Sequence, residues 1–191
     1  MNASLSHIAI LTRNAEKAAD VCKKSGYEVG AVEDFPSEGT REIYIGSPGD
    51  GGLLLLMQDT GPGPYRSAME KRGPGLHHIA VNVGSIDEYV ASLAGSGWLL
   101  HPRSLQTLKQ SKTVYLARPG LKVLIEVQQI NKKSSPKDCN SFISEVFVEG
   151  SLDHQRLLNS LAIPGLRIAG KEGAGLLIAG KLFSVAQFTK V

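Results

Sequence analysis

The sequence predicts an α+β fold made of two paired β-α-β-β modules, each with room for one more short strand, followed by an incomplete third. Three observations carry that expectation. The phrase "HIA" followed by a branched aliphatic residue occurs twice, in "SLSHIAI" and in "RGPGLHHIAV". Each copy runs into an amphipathic helical stretch and then into two alternating apolar segments, so a unit of about seventy residues is repeated. Near the C-terminus the same alternation resumes for one more partial round.

The elements follow in order. Residues 6–10 alternate polar or small with apolar side chains, as a half-buried strand does, and Asn14 opens a segment with Ala15, Ala18, Ala19 and Cys22 on one helical face. Gly26 closes that helix, and "REIYIG" and "LLLLMQ" are the strands after it. In the second copy residues 77–83 form the strand, and Ser85 with Glu88 is a capping-box signature for a helix carrying Ile86, Tyr89, Val90 and Leu93. Gly97 closes it, and "KTVYLA" and "KVLIEV" follow. Between the copies, "GPGPYRSAMEKRGPG" lacks the strand-turn-helix spacing of a phosphate loop and reads as a connection with a short helix. Its Arg66, Lys71 and Arg72 are available to an acidic ligand such as a CoA phosphate.

At 191 residues the chain can bury a core as one body or as two fused units. Its net charge of +3 is spread without a basic stripe, so nucleic acid is not an expected partner. No apolar run approaches the length of a bilayer span, and the first residues enter a patterned strand without a leader signature, so the expectation is a cytoplasmic protein away from membranes. Cys22 falls on a helix and Cys139 in a linker, which suits a reduced compartment.

Two units that each leave a face uncovered pair around a cleft, and strand parity says what lines it. Ile8, Ile10, Ile79 and Val81 suit packing under the helices; the other face carries His7, Ala9, His78 and Ala80, with alanines leaving space beside the histidines. By this parity His78 is the counterpart of His7, and His77 points the other way into a structural hydrogen bond. Glu126 lies between Ile125 and Val127 and so faces away from the aliphatic side, where an unpaired charge would be costly. Glu42 shares a face with Tyr44, and Arg41 takes the opposite one. His7, Glu42, His78 and Glu126 can thus converge on one cavity, and two imidazoles with one carboxylate are a competent divalent-metal site. His101 and His154 have no repeat partner and receive no role.

These residues resemble the vicinal oxygen chelate (glyoxalase/bleomycin resistance/dioxygenase) superfamily, with its paired βαβββ modules, and within it the methylmalonyl-CoA epimerase family. The shared stretches are "SHIAI", "EGTREIYIG", "MEKRGPGLHHIAVNV" and "VLIEV", spanning about two thirds of the chain. The resemblance implies a divalent metal (Co, Mn, Zn, Ni or Fe) held by His7, His78 and Glu126, with Glu42 as acid/base and Glu126 sharing that task. It implies an epimerase or isomerase of a small acyl-CoA or related 1,3-dicarbonyl compound, acting through a chelated enolate. It also implies a fourth ligand, Gln or Glu, on the last strand of the first module. Counting along the motif puts that position at Leu54, and aligning the internal repeat puts it at Leu56, so either register gives leucine and an apolar wall to the cleft. Gln58, on the same strand face, lies more than about 6 Å too far along. The remaining set also resembles the three-ligand Fe(II) site of extradiol dioxygenases, and a metal-free binding protein of the resistance type is the alternative outside catalysis.

The expected organisation is a two-module domain over residues 1–130, with modules at about 4–62 and 75–130, a linker over 131–141, and a partial βαββ module over 142–191. In the last part "FISEVFVEG" reads as a strand, Ser151 begins a helix with Leu157, Leu158 and Leu161, and "LRIAG" and "GLLIAGKLFSVAQF" read as strands. Glu145 stands near the place His7 and His78 take, so the metal signature is absent there. Apolar strands in a partial unit need cover from the same chain or another, and a homodimer involving this segment is expected.

Overall fold

The computed structural model describes residues 3–47, 52–130 and 141–191. Cys139 and nearly all of the expected linker lie outside the described residues. The first repeat unit is β1 (Ser4–Thr12), α1 (Ala15–Lys24), β2 (Val29–Phe35), β3 (Thr40–Ile45) and β4 (Leu53–Asp59). Helix α2 (Pro64–Arg72) leads to the second unit: β5 (Gly75–Val83), α3 (Ile86–Ser92), β6 (Leu99–Leu100), α4 (Ser104–Ser111), β7 (Thr113–Ala117) and β8 (Leu124–Gln129). The fold is α+β with paired βαβββ modules, and the extra strand that the spacing left room for is β2 in one unit and the short β6 in the other.

All eight strands form one sheet in the order β2-β3-β4-β1-β5-β8-β7-β6. The antiparallel pairing of β1 with β5 joins the units at the centre, while β1 with β4 and β5 with β8 are parallel. The repeat keeps one offset: His7 and His78 are 71 positions apart, and so are Asn14 and Ser85, Gly26 and Gly97, Tyr44 and Tyr115, and Gln58 and Gln129. Matched positions do matched work. Asn14 accepts from the Lys17 amide and Ser85 from the Glu88 amide, each satisfying an otherwise orphan donor in a first helical turn. Gly26 and Gly97 take the positive φ that brings the chain back toward the sheet. Gln58 Oε1 accepts from the Ala15 amide at 3.1 Å and Gln129 Oε1 from the Ile86 amide at 3.2 Å. Gln58 is thus a second helix cap on the helix side of the sheet, and not on the cleft face where parity counting set it.

The units differ where a proline intervenes. The first runs on through the seven residues of β2, whereas β6 stops after Leu100, because Pro102 has no N–H for a continuing ladder. The chain turns there into α4, a helix that the hydrophobic pattern does not announce.

One face of the sheet packs Ile8, Ile10, Ile43, Ile45, Leu54, Leu56, Ile79, Val81, Ile125 and Val127 into the main core under α1 and α3. The other carries a smaller cluster of Ala9, Leu11, Leu55 and Met57, covered by Tyr65, Ala68 and Met69 of α2. Arg41 reaches toward Asp34 and Glu16 of α1, on the helix side as parity requires.

The C-terminal segment folds as β9 (Ile143–Val148), α5 (His154–Ser160), β10 (Leu166–Ile168), β11 (Gly175–Ile178), β12 (Lys181–Ser184) and α6 (Ala186–Thr189). Its four strands take the order β10-β9-β11-β12, so β9 pairs parallel with β10 and antiparallel with β11, unlike the pairing in the first two units. "GLLIAGKLFSVAQF" is a hairpin followed by a helical turn, the reversal made at Ala179 and Gly180 with positive φ. Its apolar cover comes from the same chain: Phe183, Phe188, Val146, Leu158 and Leu176 join the main core. Hydroxyls tie the two parts together, Thr12 donating to the Phe188 carbonyl at 2.8 Å, Tyr89 to that of Leu161 at 2.8 Å and Tyr27 to that of Ile178 at 3.1 Å. Glu145 pairs with Arg167 on the surface.

Because Phe188 is fully buried in this shared core, Phe188→Ala is expected to lower the unfolding free energy by about 3–5 kcal/mol. Urea denaturation checks it, and a loss below about 1 kcal/mol would mean that the C-terminal unit does not unfold with the rest.

Candidate metal centre

Central pairing of the units brings the histidines together. On β1 and β5, His7 lies opposite Ala80 and His78 opposite Ala9, so the rings are diagonal neighbours and each faces a methyl group across the ladder. Glu126 on β8 pairs with Ala80 in the parallel register. The Nε2 atoms of His7 and His78 are 3.1 Å apart, and a Glu126 carboxylate oxygen is 3.3 Å from His78 Nε2. One ligand atom from each residue lies within 4.8 Å of the others, and all three residues are buried. Donors held by one ion at roughly 2.0–2.2 Å are roughly 3–3.5 Å apart, so this group could hold a divalent metal with little movement.

Burial sets the charge states. Desolvation lowers the His7 pKa to about 4 and that of His78 well below its ordinary value, the latter aided by the neighbouring imidazoles. Both rings are therefore neutral at pH 7, the form that offers a lone pair to a metal. Burial raises the pKa of Glu126, opposed by hydrogen bonds from Gln128 at 2.8 Å and from the Tyr115 hydroxyl. These two donors fix the carboxylate on its outer side.

Strand alternation places His77 on the far face, and a β-bulge overturns that expectation. The β1–β5 register slips between Ala9 and Ile10, leaving His77 as the extra residue, and a second slip leaves Ser6 extra between Leu5 and His7. Bulges break period-two alternation and re-aim side chains. The His77 ring lies 5.3 Å from Tyr65, with its Nδ1 2.9 Å from His78 Nδ1, and Ser6 Oγ is 3.3 Å from His7 Nδ1. Each of the two histidines thus has its Nδ1 engaged by the residue before it, which leaves Nε2 for the cleft. Ser6 and His77 are partners in the repeat, and that shared offset is the signal that could have found them.

Glu42 lies on the cleft face, opposite Met57 and next to Tyr44, which pairs with Leu55. It accepts from Thr40 Oγ1 at 3.2 Å and is outside the three-residue group. Burial raises its pKa, the Thr40 hydrogen bond opposes this, and the charges of Glu38, Glu126 and Glu33 add to the rise. Four groups therefore share the face, three of them in contact. Tyr44, edge-on to His7 at 5.8 Å, and Tyr115, hydrogen-bonded to Glu126, are repeat partners beside the centre that parity alone did not single out.

The fourth position is leucine, but neither of the two leucines expected. In the parallel registers Glu126 pairs with Ala80, and Leu55 pairs with Ala9, the repeat partner of Ala80. Leu54 and Leu56 belong to the core under the helices. The wall beside His7 is apolar through Leu55 and Met57.

Beyond His78 a cavity of about 330 Å³ opens between α2, the start of α4 and β7. Lys71, Arg72, His101 and Arg103 contribute to its lining, and among the described residues no carboxylate does.

This fold and donor set define a protein of paired βαβββ modules with a polar cleft at their junction. The sequence pattern of the Glyoxalase/Bleomycin resistance protein/Dioxygenase superfamily matches residues 6–116, and the chain belongs to that superfamily. Among solved structures, a hypothetical protein from Bacillus halodurans C-125 is similar at 20% identity over 73% of this chain and 100% of its own, with a TM-score of 0.55. A methylmalonyl-CoA epimerase in complex with methylmalonyl-CoA and ammonium is similar at 19% identity over 72% of this chain and 100% of its own, with a TM-score of 0.53. A Streptomyces coelicolor methylmalonyl-CoA epimerase variant bound to 2-nitronate-propionyl-CoA is 20% identical, covering 70% and 98%, with a TM-score of 0.52. At such identities the likeness shows the fold. A search of curated proteins found no match. No helix among the described residues is long and apolar enough to cross a membrane.

The His7 shift has a thermodynamic consequence in the metal-free protein. Its folded pKa of about 4 lies below the ordinary value of 6.5, so between these values the unfolded chain binds the extra proton. Its contribution is fully present above 6.5 and is lost as pH falls toward 4. Wild type is therefore expected to lose stability relative to His7→Asn between about pH 7 and about pH 5. Chemical denaturation at both values checks this; parallel behaviour would mean that His7 takes up its proton alike in the folded and unfolded states.

Proposed function

We propose that the chain is a metal-dependent epimerase or isomerase of a small acyl-CoA or related 1,3-dicarbonyl compound. The observation that carries this reading is the joint placement of His7, His78 and Glu126 in one buried group with Glu42 on the same face. His7, His78 and Glu126 hold the ion; superfamily membership supports this, since its members usually bind a divalent metal. When bound, the ion supplies Lewis-acid polarisation of a carbonyl beside the reacting carbon.

Glu42 takes the proton from the carbon between the two carbonyls. Its raised pKa brings it nearer neutrality, where a carboxylate is a more effective base. Glu126 serves the opposite side of the reacting carbon, with Tyr115 and Gln128 holding its orientation. The apolar wall of Leu55 and Met57 excludes water from the reacting carbon. All these residues belong to one chain, so the reading requires no second copy.

Leu55 favours a second reading. Two imidazoles and one carboxylate with open positions form the set used by non-haem Fe(II) oxygenases, so a three-ligand dioxygenase is the alternative.

Metal analysis of protein purified without an affinity tag tests both. His78→Ala is expected to lower bound metal by more than about tenfold; equal content in the variant would remove both enzyme readings. With metal present, solvent deuterium entering the α position of methylmalonyl-CoA supports the epimerase, and oxygen uptake with a catechol the dioxygenase. Glu42→Gln is expected to slow proton exchange by about 10²–10⁴-fold, and an unchanged rate would remove its role as base.

A further inference from the structure

The two sides of the cleft carry opposite charge. On the first-unit side Glu33 and Glu38 add their charges to that of Glu42. On the second-unit side the cavity beyond His78 has Lys71, Arg72 and Arg103 in its lining, with His101 and, among the described residues, no acid. Arg72 is held by the Lys122 carbonyl at 2.8 Å. Arg103 is different: it is half-buried, and among the described residues its guanidinium has no hydrogen bond and no carboxylate within ion-pair distance. It lines the same cavity as His77, His78 and Tyr115, and its charge acts on His77, Tyr115 and Glu126. A partly desolvated guanidinium without such partners is costly unless something anionic fills the space it faces.

We propose that Arg103, supported by Lys71 and Arg72, holds an anionic group of the substrate, carboxylate or phosphoryl, in the cavity between α2 and α4. The inference rests on the reading of His7, His78 and Glu126 as the reaction centre and adds an orientation to it. The charged end lies on the second-unit side, leaving the reacting carbon toward Glu42. A neutral isostere lacks the partner that Arg103 requires, so these residues select for charge.

The test is calorimetric titration of the purified protein with malonate, inorganic phosphate and neutral malonamide, in wild type, Arg103→Gln and Arg103→Lys. At least one anion is expected to bind, its identity distinguishing carboxylate from phosphoryl, with malonamide failing to compete. Arg103→Gln is expected to weaken the anion by about tenfold or more, as loss of a charge-assisted hydrogen bond requires, and Arg103→Lys to recover part of it. Metal content and the circular dichroism spectrum should match wild type in both variants. If neither anion binds wild type, or Arg103→Gln binds as tightly as wild type, the proposal is overturned. Failure of the metal reading is separable: wild type free of metal that still binds the anion through Arg103 would lose the catalytic reading and keep this site.

Discussion

The antiparallel ladder between β1 and β5 is the contact on which the rest depends. It places His7 against Ala80 and His78 against Ala9, so two imidazoles from distant parts of the chain meet diagonally with only methyl groups across from them. A larger residue at either alanine would occupy the space in which the Nε2 atoms converge. Both parallel pairings then extend from this seam, one bringing Glu126 to the pair and the other bringing Leu55. The asymmetry of the centre, three donors and one hydrocarbon, thus follows from one difference between residues at the same repeat position.

Much of this was legible because strands of the two copies obey the same parity. His7, His78 and Glu126 are identified by alternation against Ile8, Ile79 and Ile125, and the structure groups them. Parity failed at His77, where a bulge inserts a residue and turns a ring expected on the far side toward His78. It also failed at the fourth position, since neither motif counting nor the chosen repeat alignment used the constant offset that joins His7 with His78. That offset alone points to Leu55. Gln58, on the strand face of Leu54 and Leu56, caps α1 from the helix side.

What repetition cannot reveal is whatever the copies do not share. His101 and Arg103 have no repeat partner of like chemistry, because the second unit abandons its strand at Pro102 and builds α4 where the first unit continues as β2. The basic cavity therefore exists on one side only. Departure from the repeat, which leaves a sequence reader without a guide, is also what gives the cleft a direction.

The C-terminal unit completes the physical picture from the opposite face. An eight-stranded sheet with only α1 and α3 over its aliphatic side leaves part of that side open, and Phe183, Phe188 and Val185 close it within the same chain. This cover comes from residues of the same chain. His7, His78 and Glu126 lie on the other face, where α2 lays Tyr65, Ala68 and Met69 over the small apolar cluster. One face is sealed by apolar side chains of α1, α3 and the C-terminal unit, and the other keeps a cavity reaching His78. The cavity thus leads to His78 from the α2–α4 side, past Arg103, without crossing the core that holds the ring.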